Sequence, residues 1–187
     1  IFLLNPNGIM FGSSASVDVA GLVASTFDIA DQDFMDGKFN FTGDMMSSAS
    51  ISNDGELKVG AGGFVYLIAP NVENTGHIIA NVGSVTLGSD GTYNIDLAGN
   101  GLIKFEVSNA TLNGATSSVE NSGDITADHV LLSGSQTREV MSSVVNTGDI
   151  TAATELTMAG DTVEQSGTVN AQSTIVEADQ NIVSSGG

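Results

Sequence analysis

Alternation of apolar and polar side chains is the dominant signal along this chain. In VENSGDITA (119–127), Val119, Asn121, Ile125 and Ala127 share one parity and polar residues stand between them. A period of two belongs to a strand with one buried face. The same phrase recurs as ISNDGEL (51–57), VENTGHI (72–78), VENSGDI (119–125) and VVNTGDI (144–150), with weaker copies VEQSGTV (163–169) and IVSSGG (182–187). Its glycines, Gly55, Gly76, Gly123, Gly148, Gly167 and Gly186, are spaced by 21, 47, 25, 19 and 19 residues. The 47 reads as about two periods, with one copy lost or interrupted in residues 88–114. Glycine in each turn is expected to supply a positive φ at no steric cost.

Units of about 20 residues built only from strands and turns predict stacked coils, a parallel β-helix or solenoid. Each coil would pair with the next at the ~4.8 Å strand spacing. Equivalent residues then stack, so Asn53 with Asn74 and Asn121 with Asn146 are expected to form inward amide ladders, since an amide both donates and accepts. The ladder is expected to fade where Gln165 and Ser184 replace asparagine. A sandwich of the immunoglobulin type is the competing fold. It would show regular turn spacing without a fixed phrase at every turn.

Composition sharpens this picture. Hydrophobic residues make up 41% of the 187 residues, yet aromatics only 5% and there is no Trp, so the core must be aliphatic. Four Lys/Arg (Lys38, Lys58, Lys104, Arg138) face 22 Asp/Glu, a net charge of -18. Nucleic acid and anionic membrane surfaces are poor partners for it, because both need a basic stripe. The charge instead keeps a strand-rich chain soluble. No cysteine is present, so neither disulfides nor thiolate metal sites contribute. The densest apolar run, FVYLIAP (64–70), falls far short of a membrane-spanning helix of ~20 residues. IFLL at the start has no basic residues before it and is not a signal peptide. The chain is expected to be a single β-helix domain, 1–187, and a piece of a longer protein.

The opening IFLLNPNGIMFG holds the most pointed motif. In Asn5-Pro6-Asn7-Gly8-Ile9, Pro6 presets the first central position of a turn, Asn7 suits the second and Gly8 the exit. A type I turn with a glycine bulge is the expected geometry. The flanks are too apolar for an ordinary surface loop.

FLLNPNGIMFG, followed by VDVAGLVAST and FDIADQDFMDGKFNF, resembles the secretion domain of filamentous-haemagglutinin-type exoproteins of two-partner secretion systems. The repeated N-x-G-x-I-x-A phrases and LAGNGLIKFEV (97–107) are similar to that family as well. The likeness is strongest over residues 1–45, with the repeat coils over 46–187. It implies a right-handed parallel β-helix with extra-helical hairpins at the N-terminal part of a long secreted adhesin, cytolysin or contact-dependent inhibition protein. It also implies recognition by an outer-membrane barrel transporter with periplasmic POTRA domains, passage through the periplasm, and folding at the cell surface, where the coils stack on downstream parts of the same exoprotein. Asn5, Pro6, Asn7, Gly8 and Ile9 are then the transporter-recognition and folding motif. Asn53, Gly55, Asn74, Gly76, Asn121, Gly123, Asn146 and Gly148 form the structural turns and ladder. The earlier NPxL-type motif and amphipathic cap of the family, roughly its first third, do not appear in this sequence.

Other chemistry is weighed and set aside. Glu56, Asp124 and Asp149 follow repeat glycines, but the G-G-x-G-x-D tandem of calcium-binding rolls is missing. These carboxylates are expected outward and solvated. Asp28, Asp31, Asp33 and Asp36 crowd FDIADQDFMDG without an EF-hand spacing, which predicts a solvated loop or hairpin. A carbohydrate-active β-helix enzyme is the alternative function. A lyase needs a basic cleft that four scattered cations cannot assemble, and no aromatic platform beyond Tyr66 and Tyr93 exists for sugar. His77 and His129 lack a nucleophile signature. The expectation is a non-enzymatic protein without cofactor or metal. A purely structural filament segment is the third possibility, since open coil ends invite end-to-end self-stacking. Sequons stand at Asn40 and Asn109, and Met45-Met46 reads as core or loop filler.

Overall fold

The computed structural model describes residues 1–95, 103–105, 115–134 and 140–185. Most of LAGNGLIKFEV, the sequon at Asn109, Arg138 and Gly186 lie outside the described residues. In chain order the elements are β1 (Phe2–Leu4), β2 (Ile9–Phe11), β3 (Ser16–Val19), β4 (Leu22–Ser25), β5 (Asp28–Ile29), α1 (Asp31–Met35), β6 (Phe39–Thr42) and β7 (Ser50–Asn53). Then follow β8 (Glu56–Val59), β9 (Phe64–Ile68), β10 (Asn71–Asn74), β11 (His77–Ser89), β12 (Thr92–Ile95) and β13 (Ile103–Phe105). The last are β14 (Ala115–Asn121), β15 (Asp124–Gly134), β16 (Val140–Asn146), β17 (Asp149–Gln165) and β18 (Val169–Ser184).

Parallel pairing winds these strands into a β-helix with three faces. Face A stacks β2, β7, β10, β14 and β16, then the ends of β17 and β18. Face B stacks β3, β8 and the first parts of β11, β15, β17 and β18. Face C stacks β1, β4, β9 and the later parts of β11, β15, β17 and β18. Each coil therefore holds three strands, one more than the strand–turn–strand phrase suggests.

Because register is strict, the inward parity of each strand becomes a row along the axis. Face A carries Ile9, Ile51, Val72, Val119, Val144 and Val163 in one such row. Face B carries Val17, Leu57, Ile78, Ile125 and Ile150. Face C carries Leu22, Val65, Val85, Val130 and Leu156. These rows meet in one aliphatic core. Burying each such side chain contributes about 1.5–3 kcal/mol.

Two excursions leave the helix after coils one and three. The first forms β5, α1 and β6, and the second forms β12 and β13. They meet as one antiparallel sheet in the order β13-β12-β6-β5, with Phe41 opposite Tyr93 and Asn40 opposite Asn94. This sheet lies on the outside of face C. It closes a second core of Val23, Phe27, Phe41, Tyr66, Ile68 and Tyr93, among others, against which Phe2, Phe39 and Phe64 pack.

Two expectations need correction. The 47-residue spacing is one period plus an excursion, because β10 pairs directly with β14 and Asn74 lies against Asn121. No copy is lost. The described repeat glycines have no positive φ, which among the described glycines is found at Gly8, Gly37 and Gly62. Glycine is required there by close approach: a Cβ on Gly76, Gly123, Gly148 or Gly167 would strike the carbonyl oxygen of the repeat glycine one coil earlier. The acid-rich FDIADQDFMDG is the exposed hairpin arm expected, and it also carries a one-turn helix. Its Phe34 ring meets Phe2 edge-on at 5.3 Å.

Candidate functional site

The NPNGI segment makes the corner between β1 on face C and β2 on face A. The Asn5 N–H donates to the Ser25 carbonyl of the next coil (3.0 Å), and the Gly8 N–H closes the turn onto the Asn5 carbonyl (3.1 Å). The Asn5 side-chain oxygen accepts the Asn7 backbone N–H (3.1 Å) and the Asn7 amide (3.4 Å). Asn7 keeps a negative φ, which excludes a type II turn. Gly8 has φ +113°, and a Cβ on it would lie 3.1 Å from the Ser50 carbonyl. A side chain there would meet both strain and backbone. Asn5, Pro6 and Asn7 are exposed, whereas Ile9 is half-buried and begins the face A row.

The repeat asparagines lie together inside the helix. Asn53 donates to Asn74, Asn74 to Asn121 and Asn121 to Asn146, each at 2.7 Å. The series does not stop at Asn146, which donates on to Gln165 at 2.9 Å. Glutamine keeps the amide and adds one methylene, so it can still serve as a rung. Each Asn amide also donates to the carbonyl two residues on, that of Gly55, Gly76, Gly123 or Gly148. Those carbonyls fix which end of each amide is nitrogen, so every rung donates toward the C-terminus. Phe11 lies beneath Asn53 and cannot donate; the Asn53 oxygen accepts the Gly55 N–H instead (3.2 Å).

Outside face B, Glu56, His77, Asp124 and Asp149 form one exposed row, and His77 Nδ1 sits 2.9 Å from Asp124 Oδ2. Histidine at this rung interrupts a file of carboxylates. No group of three or more His, Cys, Asp or Glu among the described residues is placed to hold a metal. His129 is exposed. The sequon Asn40 is half-buried, accepts from Asn94 (2.6 Å) and donates to Asp33 (3.4 Å). Met45 is in the second core and Met46 is exposed.

Sequence reasoning missed a set of acids at the face C to face A corner. Asp90 accepts from Ser133 Oγ (2.8 Å) and from the Tyr93 hydroxyl (3.4 Å), while its own N–H donates to that hydroxyl (2.6 Å). Burial pushes the Asp90 carboxyl up, partly offset by those two side-chain bonds. Burial, then the Asp90 charge, holds the Tyr93 hydroxyl well above its ordinary value. Burial also pushes Tyr66 up to about 12. Asp161, buried two coils on, accepts the Ser142 N–H (3.0 Å), and its N–H donates to Ser142 Oγ (2.9 Å). Burial pushes its carboxyl up, the Ser142 N–H bond partly offsets this, and the nearby Asp179 charge adds a smaller upward push. A signal existed: LGSD (87–90), MAGD (158–161) and VEAD (176–179) end the third strand of their coils alike.

A three-faced parallel β-helix with an extra-helical antiparallel sheet and a first-coil NPNGI corner defines a class of all-β solenoid proteins. The TPS secretion domain family matches residues 1–184, and the chain belongs to that family. The fold is also that of the HMW1 secretion domain from Haemophilus influenzae, at a TM-score of 0.60 and 23% identity. The match covers 94% of this chain and 52% of that one, so the chain spans about half the length of this relative. No curated protein matches the chain. Membership makes this a TPS secretion domain.

Proposed function

We propose that residues 1–187 act as one β-helix unit of a large secreted exoprotein, of the adhesin, cytolysin or contact-dependent inhibition type. In it they serve as secretion signal and folding nucleus. The partner is an outer-membrane barrel transporter with periplasmic POTRA domains, and the destination is the cell surface or the medium. The observation that carries this reading is the NPNGI corner: an exposed turn in the first coil whose Gly8 packs on Ser50 of the second. A turn so placed can be met by a transporter and can also start the stack. The work is recognition and templated folding, with no bond chemistry. The acids that burial perturbs are held by serine hydroxyls and backbone at a coil corner, a structural use of a carboxylate. Later coils add to an edge already formed, so the stack propagates by nearest-neighbour contacts.

The test is secretion of the full-length protein carrying Asn5→Ala and Asn7→Ala. Loss of the Asn5 acceptor opens the turn, and export is expected to fall several-fold; unchanged export removes the motif from the function. Sequencing the DNA on both sides of this coding region supplies the genetic counterpart. A neighbouring gene for a barrel with POTRA domains is expected, and sugar-metabolism neighbours would favour a carbohydrate-active solenoid.

A further inference from the structure

The first excursion cannot complete itself. It leaves the helix after β4 and returns at β7, yet within it the strands pair only Asp28 with Thr42 and Ile29 with Phe41. So short a two-stranded pair is not stable in water; three or more strands over an apolar face are needed. The strand that supplies the rest is β12, two coils later, which pairs with all four residues of β6. The Asn94 amide donates to the Asn40 side-chain oxygen (2.6 Å), and the Gly43 N–H donates to the Gly91 carbonyl (3.4 Å). Tyr93 is fully buried with its ring 6.4 Å from that of Phe27, and Ile95 lies in the same second core. Tyr93 also folds back over its own coil, where a Cβ on Gly88 would strike its hydroxyl.

We propose, resting on the folding-nucleus reading above, that β12 is a strap whose closure on β6 commits the chain to fold. The nucleus is then three coils with both excursions, residues 1–95 at least, and not the NPNGI coil alone. Until β12 is in place, β6 has an open edge and the outer sides of β4 and β9 lack a complete cover. Bringing Asn94 to Asn40 joins residues 54 apart, and that loss of chain entropy is offset only by contacts of the closed sheet and second core. The consequence for export is a length threshold. Residues 26–95 must be free to fold together before the stack is seeded, which keeps a shorter emerged stretch from stacking coil by coil.

The experiment uses the whole 187-residue chain, which has no native cysteine. Asn40→Cys with Asn94→Cys places thiols on directly opposed residues of an antiparallel pair, within the separation a disulfide spans. Refolding from denaturant is followed by stopped flow, oxidised and reduced. The oxidised chain is expected to refold about tenfold or more faster, because the long loop is already closed. Equal rates mean that the strap docks after the committing step, and overturn the proposal. Three conservative core variants serve as a second measurement. Ile51→Val in coil two and Ile95→Val in β12 are expected to slow folding several-fold, whereas Ile150→Val in a late coil is expected to speed unfolding only. If Ile51→Val slows folding and neither Ile95→Val nor the cross-link alters it, the strap is overturned and the nucleus reading stands. If Ile150→Val slows folding and Ile51→Val does not, the nucleus lies in the late coils and both readings fall.

Discussion

Face C is buried on both sides in its first coils and on one side in its last. In β4 all four residues are buried, and in β9 four of five, because the extra-helical sheet covers what the helix interior does not. In β17 the same face returns to alternation, and β18 is mostly exposed. The inward row that begins with Leu22 and Val65 ends in Thr174, and Ile182, last of the face A row, is 56% exposed. Two cores share one set of strands in the early coils, and a single core serves coils four and five. In a structure stabilised by nearest-neighbour terms, the doubly covered early coils are then expected to be more stable than coils four and five, which have a single core.

The largest expected effect comes from breaking that asymmetry at its source. Tyr93→Ala empties the middle of the second core and removes the hydroxyl that Asp90 uses. A large aromatic truncation of this kind costs about 3–5 kcal/mol. Denaturant unfolding measures the loss. Hydrogen exchange is expected to localise it to β1–β9, with β15 to β18 little changed; uniform acceleration would mean that the two regions form one cooperative unit.

The ladder offers a sharper comparison, because the same deletion can be made in both regions. Asn74→Ala strands the donor of Asn53 and the oxygen of Asn121, both buried, at about 1–3 kcal/mol. Gln165→Ala removes the last rung at a partly exposed position and is expected to cost less than 1 kcal/mol, the ordinary net value of one accessible hydrogen bond. Equal costs would show that the late coils are as tightly held as the early ones.

Much of the interior was legible in the sequence, because alternation is written locally. Val119, Asn121, Ile125 and Ala127 are buried as their parity requires. What could not be read depends on contacts between distant segments. The pairing of β6 with β12 joins residues 54 apart and is decided by apolar outer positions of face C. FVYLIAP showed only as a dense apolar run, yet a strand covered on both sides has that appearance. The repeat glycines were found for the wrong reason, since collision between stacked carbonyls leaves the same residue in the sequence as a positive φ. For the NPNGI corner the turn was legible from residue types, whereas the outward parity of Leu4 and Met10 needed the register.

Acid dependence probes the late coils more gently. The folded-state pKa of Asp161 is raised, so its contribution is fully present below the unfolded carboxylate pKa and is lost as pH rises through the folded value. Asp161→Asn keeps an oxygen for the Ser142 N–H and removes both the buried charge and its repulsion with Asp179. The variant is expected to be more stable than the parent at pH 7, with the advantage shrinking to nothing as pH falls below the carboxylate range. Thermal unfolding across pH 3–8 reads this directly. An advantage independent of pH would assign the effect to packing.

The smallest effect concerns one strained residue at the boundary between the regions. Val82 is the sole non-glycine with positive φ among the described residues, at +55°, and its side chain is 67% exposed. One coil earlier the same corner is occupied by Gly62 at φ +75°, followed by Gly63, on whose carbonyl Gly83 stacks. A β-branched residue in this conformation costs about 1–2 kcal/mol, and glycine returns part of that through unfolded-state entropy. Val82→Gly is therefore expected to stabilise the chain by about 0.5–1 kcal/mol, measured as a higher denaturant midpoint at unchanged slope. Since the strain sits on the third coil, at the corner within β11 where its pairing register shifts, relief is also expected to slow hydrogen exchange in β11. A destabilised Val82→Gly would mean that the valine side chain, exposed as it is, contributes more by covering the corner than its backbone costs.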